Sequence, residues 1–560
     1  MLELIDRDAG GRISRWEIGK HKITLPNICI VINPNRMLIK PRDMKKYGAE
    51  IIITNSYIIQ KHENLRKQAV KGIHRFLGWD GPVYTDSGTF QMYSQKVKGI
   101  DPEKIIEFQN AINSDIETPV DVFTLPDDTK AVAKKKLNET TRRVKQARKS
   151  VVNHLAGPIQ GGMSLDLRAD ASRKIAKINP DVFAIGGIVP LMEQYMFKEL
   201  CDIALTCKKN LPAHRPLHAF GAGHPITFAI LTAFGCDLFD SAIYHIAARR
   251  GGYLTINGTY HLDDLREFPC SCPVCAHSTP DKLKQMKKEK QEEFLTKHNL
   301  HITFSELRTV RQAIRENWLW ELVQIRARAH PSLLEALMFC LKKYGNYLEK
   351  LDPITKKSAF FYSGEESKYR PEVRRARAWL KRVKSRRTFI KEPFGKVPLP
   401  LLGVYPFGQS LVPGFKEPKG KVKPKEIIAA TVQYQYGSKL RLKKPRIEVS
   451  KRTGRIRRIW KGKTLVGTIR SYDGLFLPTR EGAKLVKMKK VFVEDKEVAE
   501  YIKKGKSMFA KFISKADDII PGEEVAVYRS KELLAVGRAL LNKNEVKEME
   551  RGIAVKTRAT

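Results

Sequence analysis

Short apolar segments recur between residues 29 and 244, and stretches with a helical pattern fill several of the intervals between them. Residues 102–112 (PEKIIEFQNAI) and 139–155 (ETTRRVKQARKSVVNHL) are two such stretches. Repeated alternation of strands and helices predicts a parallel sheet, and eight strands favour an α/β fold closed into a (β/α)8 TIM-type barrel. The predicted strands are CIVIN (29–33), EIIITN (50–55), VYTDS (83–87), DVFTL (121–125), LAGPIQ (155–160), DVFAIGG (181–187), PLHAFGAG (216–223) and DLFDSAIY (237–244).

Polar and glycine-rich groups lie at or near the ends of several predicted strands. Polar residues are costly in an apolar strand unless they have a partner or a function. In a (β/α)8 barrel the active site lies at the C-terminal ends of the strands, so we expect a site there. Each aspartate taken singly is better explained as a helix N-cap or a loop residue. The groups are Asp86-Ser87-Gly88, Asp121, Gln160-Gly161-Gly162, Gly186-Gly187, Gly221 with Gly223, and Asp240.

Two of these residues, Asp86 and Asp240, place carboxylates at the same rim of the predicted barrel. Paired carboxylates are the usual means of breaking a glycosidic bond, because one attacks the anomeric carbon while the other moves protons. The pair therefore indicates chemistry at a glycosidic bond.

Three of the eight cysteines lie within residues 268–278 (FPCSCPVCAHS), in the pattern C-x-C-x2-C. A tetrahedral zinc site needs a fourth ligand, which His298 supplies and for which His301 competes. Four protein ligands leave no open position for water, so we expect a structural role rather than catalysis. Buried free cysteines are the alternative explanation. The prediction is one Zn²⁺ per chain, held by Cys270, Cys272, Cys275 and His298.

Length and charge indicate further domains beyond a barrel. A chain of 560 residues favours three or four domains, and its net charge is +43. Residues 371–470 hold 28 Lys and Arg against five Glu and no Asp. Spaced aromatic residues and the strand-like segment IIAATVQYQYG (427–437) indicate that this region is folded. A folded cationic region favours binding to a phosphate backbone, and a solvated lysine-rich surface is the alternative.

No apolar run is long enough for a membrane span, so no membrane partner is expected. The N-terminal segment MLELIDRDAGGRISRWEIGK has early acidic residues and no apolar core of a signal peptide. The expected location is the cytoplasm, where disulfides are rare.

Five motifs follow one another over roughly residues 1–345: TDSGTFQ (85–91), PIQGG (158–162), AIGGIVP (184–190), DLFDSAIY (237–244), and CSCPVC with HNL (298–300). Together they resemble the tRNA-guanine transglycosylase family. The C-terminal segment that begins ADDIIPGEEVAVYRS is similar to a PUA domain, a small β-rich RNA-binding module. A barrel, a zinc site, a basic region and a terminal PUA domain in one chain resemble the archaeal branch, which acts in archaeosine synthesis. Thr89 is a departure, since Gly or Ser is expected after Asp-Ser-Gly.

The resemblance implies a reaction and its partners. The chain would exchange guanine in a tRNA nucleotide for 7-cyano-7-deazaguanine and leave the phosphodiester chain uncut. In the archaeal branch the nucleotide is position 15, in the D-loop. No ATP is required, because one glycosidic bond replaces another. In the family the zinc loop also borders a subunit interface, which implies a homodimer.

The resemblance also implies roles for individual residues. Asp240 matches the nucleophile that forms a covalent glycosyl-enzyme, and Asp86 matches the residue that handles protons on the two bases, although the nucleophile has been assigned both ways in this family. Asp121 matches the base-recognition aspartate, whose carboxylate accepts from the N1–H and amine of a guanine edge. Gln160 and the Gly186-Gly187 turn would hold the rest of the base.

Five further residues are candidates for substrate contacts. A backbone N–H of Ile188 or of its neighbour Val189 would donate to a nitrile nitrogen, which favours the cyano base. Phe90 would stack on the base or belong to the core. The target base must leave its stack, and Arg249 and Arg250 would then bind phosphates beside it.

We predict three parts: a catalytic barrel at 1–345 with the zinc site at 270–298, basic tRNA-binding α+β domains at 346–484, and a PUA domain at 485–560. The alternatives are a non-catalytic RNA-binding paralogue, a later archaeosine-pathway enzyme of similar architecture, and a generic zinc RNA-binding protein. Retention of both Asp86 and Asp240 favours the transglycosylase over the paralogue.

Overall fold

The computed structural model describes residues 2–89, 91, 101–442 and 444–558. The chain forms two compact units. The first unit contains Met1–Asp6, Gly11–Ala313 and Ile325–Leu337, and the second contains Arg7–Gly10, Ile314–Gln324 and Met338–Thr560. Among the described residues, no helix combines the length and apolar character that a membrane crossing requires.

A three-stranded antiparallel sheet precedes the barrel and is formed by strands β1 (Leu2–Asp8), β2 (Gly11–Ile18) and β3 (His21–Leu25). Trp16 of β2 is 1% exposed and lies in the same apolar cluster as the barrel residues Ile51 and Ile116. Arg12 binds the carboxylate of Asp237 through two hydrogen bonds of 2.7 and 2.8 Å. Because Asp237 directly precedes a barrel strand, this ion pair fastens the sheet to the N-terminal end of the barrel.

Eight parallel strands close into a barrel. The predicted (β/α)8 architecture is therefore confirmed. Apolar side chains such as Tyr84, Ala156 and Val182 fill the interior, since both faces of a parallel barrel sheet are covered. The strands are β4 (Asn27–Ile32), β5 (Ile52–Asn55), β6 (Val83–Asp86), β7 (Ile116–Glu117), β8 (His154–Ile159), β9 (Val182–Ile185), β10 (Leu217–Ala219) and β11 (Leu238–Ser241). They pair in the order β10-β11-β4-β5-β6-β7-β8-β9, and the ends of this order meet to close the barrel.

The fourth predicted strand is wrong in position. Residues 121–125 have no regular structure, and the fourth strand is the two-residue β7, which pairs with β6 and β8. Asp121 thus lies in the loop after a strand rather than at its opening. The other seven predictions overlap the observed strands.

Helices follow most of the barrel strands, and their ends carry recognisable caps. The Asp101 side chain accepts from the Glu103 N–H and Pro102 occupies the first turn, which starts the helix Pro102–Ala111. Thr129 caps Lys130–Ala147 in the same way, so this helix begins and ends earlier than predicted. Other helices in residues 41–351 are Pro41–Met44, Ser56–Lys61, Glu63–Ala69, Ile73–Leu77, Leu165–Ile178, Val189–Glu193, Phe197–Lys209, Pro225–Ala233, Ile243–Arg249, Pro280–Lys284, Lys288–Glu316, Leu319–Ala327 and Pro331–Leu351.

A hairpin and two 3₁₀ turns follow the last barrel strand. The hairpin consists of β12 (Gly252–Thr255) and β13 (Gly258–His261), and the turns are Leu262–Asp264 and Cys275–His277. The first three of these elements precede the cysteine-rich segment, and the turn Cys275–His277 lies within it.

The second unit contains several small sheets. A four-stranded sheet is formed by β18 to β21, and a six-stranded sheet with the order β23-β27-β26-β25-β22-β24 ends the chain, as expected for a β-rich terminal domain. The strands are β14 (Phe360–Phe361), β15 (Thr388–Lys391), β16 (Gly395–Pro398), β17 (Ser410–Leu411), β18 (Arg446–Val449), β19 (Ile456–Lys461), β20 (Thr464–Ile469), β21 (Phe476–Pro478), β22 (Lys489–Phe492), β23 (Met508–Phe509), β24 (Lys515–Ala516), β25 (Glu524–Arg529), β26 (Glu532–Ala539) and β27 (Ile553–Arg558).

The strand-like segment at 427–437 is a helix, Pro424–Tyr436. Pro424 occupies the first turn and Gly437 ends the helix in the left-handed conformation, with φ of 63°. Ile428 and Val432 lie four residues apart and pack into one apolar cluster, which outweighs the β propensity of the sequence. The other helices are Pro371–Leu380, Arg480–Ala483, Lys496–Lys503 and Lys543–Glu548, with 3₁₀ turns at Glu365–Tyr369, Leu399–Leu401, Phe407–Gln409 and Ala510–Phe512.

Candidate active site and metal centre

Asp86 ends strand β6, and polar residues at the end of the neighbouring strand hold it. The Asn55 side chain donates from Nδ2 to Asp86 Oδ2 at 3.0 Å, and Ser56 Oγ donates to the Asp86 main-chain oxygen at 2.7 Å. Asn55 Oδ1 also accepts from the Ile58 N–H and caps the helix Ser56–Lys61. The cap fixes the Asn55 rotamer, so its amide is already directed at the carboxylate.

Asp121 and Gln160 connect two loops at the C-terminal ends of the barrel strands. Gln160 Nε2 donates to Asp121 Oδ2 at 2.5 Å. Gln160 Oε1 accepts from Thr124 Oγ1 at 2.6 Å and from the Thr124 N–H at 3.2 Å. Gln160 is only 1% exposed, so both ends of its amide are oriented by protein partners.

Gly186 and Gly187 pack against that amide. A Cβ atom on Gly186 would lie 2.4 Å from Gln160 Nε2 and 3.3 Å from Asp121 Oδ2. Gly187 has φ of 70°, and its Cβ would lie 2.8 Å from the main-chain oxygen of Thr124. Both positions therefore require glycine. Ile188 follows them at 1% exposure and precedes the helix Val189–Glu193.

Asp240 lies in β11 and is 5% exposed. Its Oδ1 accepts from His218 Nε2 at 2.8 Å and from the Gly221 N–H at 2.5 Å. Both donors come from β10 and the turn that follows it, so the adjacent strand positions this carboxylate.

The three aspartates form one electrostatic group. Burial, followed by the negative charges of Asp121 and then Asp240, raises the pKa of Asp86 to about 7. Burial also raises the pKa of Asp121 above its usual range, against the hydrogen bond from Gln160, which lowers it. A carboxyl group that titrates near neutrality can give and take a proton, and it lies beside another carboxylate that can attack an electrophilic carbon.

Three residues of this site were not predicted from the sequence: His218, described above, Asn55 and Arg168. Asn55, described above, had a weak signal as the polar end of the run EIIITN. Arg168 is fully buried in the helix Leu165–Ile178 and donates to the carbonyl groups of Ile159, Gly162 and Gly186 at 2.8 to 2.9 Å. It thereby joins the loop that contains Gly162 to the Gly186-Gly187 turn. The sequence feature that could have identified Arg168 is its place on the apolar, buried face of an amphipathic helix.

The cysteine-rich segment forms a candidate metal centre. One ligand atom from each of Cys270, Cys272, Cys275 and His298 lies within 4.8 Å of every other. His298 Nδ1 lies 3.3 Å from Cys275 Sγ, while His298 Nε2 lies 2.9 Å from the Leu254 main-chain oxygen. Because the Leu254 carbonyl group can only accept a hydrogen bond, Nε2 carries the proton. Nδ1 is then available as a metal ligand, the usual arrangement for a metal-bound imidazole. The four residues could hold a metal ion, and three thiolates with one imidazole fit zinc.

His301 is not part of this cluster. Its ring makes an edge contact with Tyr47 at a centroid distance of 4.7 Å. The His298 ring instead stacks on Tyr253 at 3.5 Å. The structure therefore separates the two histidines that the sequence left in competition and selects His298.

Asn299 connects the metal centre to the segment after Asp240. Its Oδ1 accepts from the Leu254 N–H at 2.8 Å, and its Nδ2 donates to the main-chain oxygen atoms of Tyr244 and Gly252 at 2.9 and 3.1 Å. Tyr244 lies four residues after Asp240 in the helix Ile243–Arg249. The helix Lys288–Glu316, which carries His298 of the metal centre, is thus hydrogen-bonded through one side chain to the helix that follows the carboxylate.

Arg249 and Arg250 are exposed at the end of that helix. Among the described residues, no contact joins either arginine to the three aspartates. The structure therefore brings together Asp86, Asp121, Asp240, Gln160 and the glycine pair, and it leaves the arginines outside this group. Phe90 lies outside the described residues.

Models of known families match almost the whole chain. A model described as queuine tRNA-ribosyltransferase matches residues 6–332, and a PUA domain model matches residues 489–560. The chain belongs to the queuine tRNA-ribosyltransferase family. Its enzyme class, a tRNA ribosyltransferase, and its terminal PUA domain are thereby confirmed. Two further models match: a C1 domain of tRNA-guanine transglycosylase dimerisation at 353–413, and a patch-forming domain C2 at 426–499, which overlaps the start of the PUA match.

Curated relatives match this chain over its full length. A protein of Thermococcus onnurineus is 43% identical, with 100% of this chain and 98% of that protein covered. Proteins of Pyrococcus furiosus and Methanococcus aeolicus are 41% and 40% identical, with at least 97% of each chain covered. All three are named tRNA-guanine(15) transglycosylase.

Proposed function

We propose that the chain exchanges guanine at position 15 of tRNA, in the D-loop, for 7-cyano-7-deazaguanine, as a step of archaeosine synthesis. The observation that carries the proposal is the group of three aspartates at one barrel mouth, in which Asp86 has a pKa of about 7. The name of the relatives supports the tRNA substrate and position 15. Modification of an already installed nitrile would not call for this pair of carboxylates.

The proposed reaction is a double displacement. The Asp240 carboxylate attacks C1′ of the target nucleotide, the bond from C1′ to guanine N9 breaks, and N9 takes a proton from Asp86. Asp240 is then linked to the tRNA ribose through an ester. The N9 of the incoming base attacks C1′, its proton passes to Asp86, and the Asp240 carboxylate leaves. No bond of the phosphodiester chain changes.

The pKa of Asp86 suits this cycle. At neutral pH an appreciable fraction of the side chain carries the proton that departing guanine needs, and the ionised form can later accept the proton of the incoming base. An ordinary aspartate, with a pKa near 4, would supply very little acid at pH 7.

Base recognition is assigned to the loop residues around Asp121. Its carboxylate would accept from the N1–H and exocyclic amine of the guanine edge, a pairing that adenine cannot make. Gln160 Nε2, now bound to Asp121, would transfer to the carbonyl group of the base. Gly186 and Gly187 allow the flat base to approach the backbone, and the Ile188 N–H would donate to the nitrile.

The basic regions are assigned to tRNA. Arg249 and Arg250 would bind phosphates beside the flipped nucleotide, and residues 371–470, with 28 Lys and Arg, would bind the rest of the backbone. We retain the division into a barrel at 1–345, basic domains at 346–484 and a PUA domain at 485–560 as part of this proposal.

The metal ion is proposed to be one structural Zn²⁺ per chain, because three thiolates and an imidazole form a closed tetrahedral set. When bound, zinc would cross-link the cysteine-rich segment to the helix Lys288–Glu316. A homodimer is proposed from the family description of the match at 353–413. The cytoplasmic location remains a prediction.

Trapping the covalent intermediate tests the function. Wild-type protein is incubated with tRNA that carries radiolabelled guanine at position 15, and with a deazaguanine-like base that cannot complete the exchange. We expect release of label and a tRNA–protein complex that survives denaturation. Asp240→Asn should give neither, and Asp86→Asn should release guanine at least a hundredfold more slowly. Asp166→Asn, an exposed helix residue paired with Lys130, is the matched control.

The outcomes separate the competing assignments. A complex that persists in Asp240→Asn and disappears in Asp86→Asn would reverse the roles of the two aspartates. A wild-type protein that binds tRNA but releases no guanine would identify a non-catalytic paralogue instead.

A further inference from the structure

One oxygen of Asp240 receives two hydrogen bonds. His218 Nε2 and the Gly221 N–H both donate to Oδ1, at 2.8 and 2.5 Å. Among the described residues, no hydrogen bond reaches Oδ2. The carboxylate is therefore asymmetric, with one oxygen held by protein donors and the other left for a reaction partner.

His218 is positioned to donate and to remain fixed. The residue is fully buried in the barrel interior. Its ring packs against Phe220 and Tyr84 at centroid distances of 4.7 and 5.6 Å. An ionised carboxylate only accepts hydrogen bonds, so Nε2 must carry the proton in this pair. Its other ring nitrogen, Nδ1, is buried and has no hydrogen-bond partner among the described residues.

The second donor depends on a glycine turn. Gly221 has φ of 85°, and a Cβ there would lie 2.4 Å from Val189 Cγ2. Both the backbone conformation and the close packing require glycine, and together they direct this N–H at Asp240. Two donors from one strand end thus define the plane of the carboxylate.

We propose that His218 is a positioning residue that holds Asp240 with Oδ2 directed at C1′ of the nucleotide. This inference rests on the proposed function, in which Asp240 is the nucleophile. Rotation about the Cβ–Cγ bond would otherwise exchange the two oxygens and tilt the attacking lone pair. A fixed near-attack geometry accelerates a displacement, and a misplacement of about 1 Å can cost on the order of a hundredfold in rate.

A histidine buried only for packing would act differently. It would contribute to stability, and any apolar side chain of similar size would replace it in the reaction. A positioning role requires an N–H at the place of Nε2. Glutamine can present such a donor, asparagine is too short to reach, and leucine has none.

The test compares His218→Gln, His218→Asn and His218→Leu with wild type in single-turnover formation of the covalent tRNA complex. We expect His218→Leu and His218→Asn to form the complex roughly ten- to a hundredfold more slowly. His218→Gln should recover to within a few-fold of wild type. The dissociation constants for tRNA and for the free base should stay within about twofold in all three variants, because the substrate contacts are unchanged. Metal content and melting temperature verify folding.

Equal rates for His218→Gln and His218→Asn would overturn the positioning role, and this comparison stands even if the leucine variant fails to fold. A parallel loss of tRNA affinity and rate would also contradict it. In both cases a wild-type complex that Asp240→Asn abolishes would leave the proposed function intact. A wild-type protein that forms no complex would instead contradict the proposed function, and the role of His218 with it.

Discussion

At the scale of single residues, the protonation of Asp86 depends on its neighbours. Its pKa of about 7 arises from burial and from the charges of Asp121 and Asp240. Because the folded state binds this proton more tightly than the unfolded chain does, Asp86 lowers folding stability as the pH rises from about 4 towards 7. The proposed reaction uses the same proton, so the raised pKa that lowers folding stability near pH 7 also provides an acid for the reaction.

We therefore predict that the rate of covalent-complex formation depends on pH, and that the charge of Asp121 shifts this dependence. Formation of the covalent complex at limiting tRNA should slow above about pH 7, as Asp86 loses its proton. In Asp121→Asn the decline should begin at lower pH, because removal of the Asp121 charge lowers the pKa of Asp86. Single-turnover rates from pH 5 to 9 measure this shift, with Asp166→Asn as the control. A decline that does not move, or that moves to higher pH in Asp121→Asn, would contradict the electrostatic coupling.

At the scale of elements, the cysteine-rich segment and the helix Lys288–Glu316 form one structural piece. His298 and Asn299 are adjacent on this helix. The first belongs to the candidate metal centre and the second donates to the Tyr244 carbonyl in the helix after Asp240. A change at the metal centre should therefore affect the order of the segment that follows the proposed nucleophile.

Substitution of the two nearby histidines tests the metal ligands. His298→Ala should abolish or strongly reduce bound zinc and lower the melting temperature by about 5–10 °C, since metal binding stabilises the fold by a few kcal/mol. His301→Ala should keep one zinc per chain, because His301 contacts Tyr47 instead of the thiolates. Elemental analysis and thermal unfolding measure both effects. Full zinc in His298→Ala together with loss in His301→Ala would overturn the ligand set.

At the scale of the whole molecule, the two proposed activities, base exchange and tRNA binding, fall in regions of different charge. The three grouped aspartates lie in the first unit, whereas residues 371–470 of the second unit hold 28 Lys and Arg and no Asp. The buried carboxylates and the cationic region thus occupy different parts of the chain. Base exchange is assigned to the first and tRNA phosphate binding to the second.

Removal of the terminal sheet tests that division. Deletion of residues 486–560 should weaken tRNA binding roughly tenfold or more and reduce its salt dependence, because fewer phosphates would be neutralised. The barrel should stay folded and zinc-loaded. The cut removes Met488, Ala526 and Val536 from a cluster that contains Ala483, so some local rearrangement within the second unit is expected. Filter binding over a salt series measures the effect. Unchanged affinity and slope would place tRNA binding elsewhere.

Much of the fold was determined by local sequence patterns. Seven barrel strands lie in short, mainly apolar segments, as expected for a parallel sheet covered on both faces. The fourth strand, Ile116–Glu117, is too short to produce such a segment. The nearby apolar segment DVFTL was therefore predicted to be the strand, although it forms a loop. IIAATVQYQYG has strand propensity but packs as a helix. In both cases tertiary packing outweighed local preference.

The candidate site divides in the same way. The three aspartates, Gln160, the glycine pair and the cysteines could be predicted from sequence. The aspartates, Gln160 and the glycines lie in or beside apolar runs, and the cysteines have a spacing typical of a metal site. Only the tertiary structure distinguished His298 from His301, since they lie three residues apart and differ in the partners that other segments supply. Asn55, Arg168 and His218 acquire their contacts from neighbouring strands and loops. Their partners are distant in sequence, and such hydrogen bonds leave no periodic pattern along the chain.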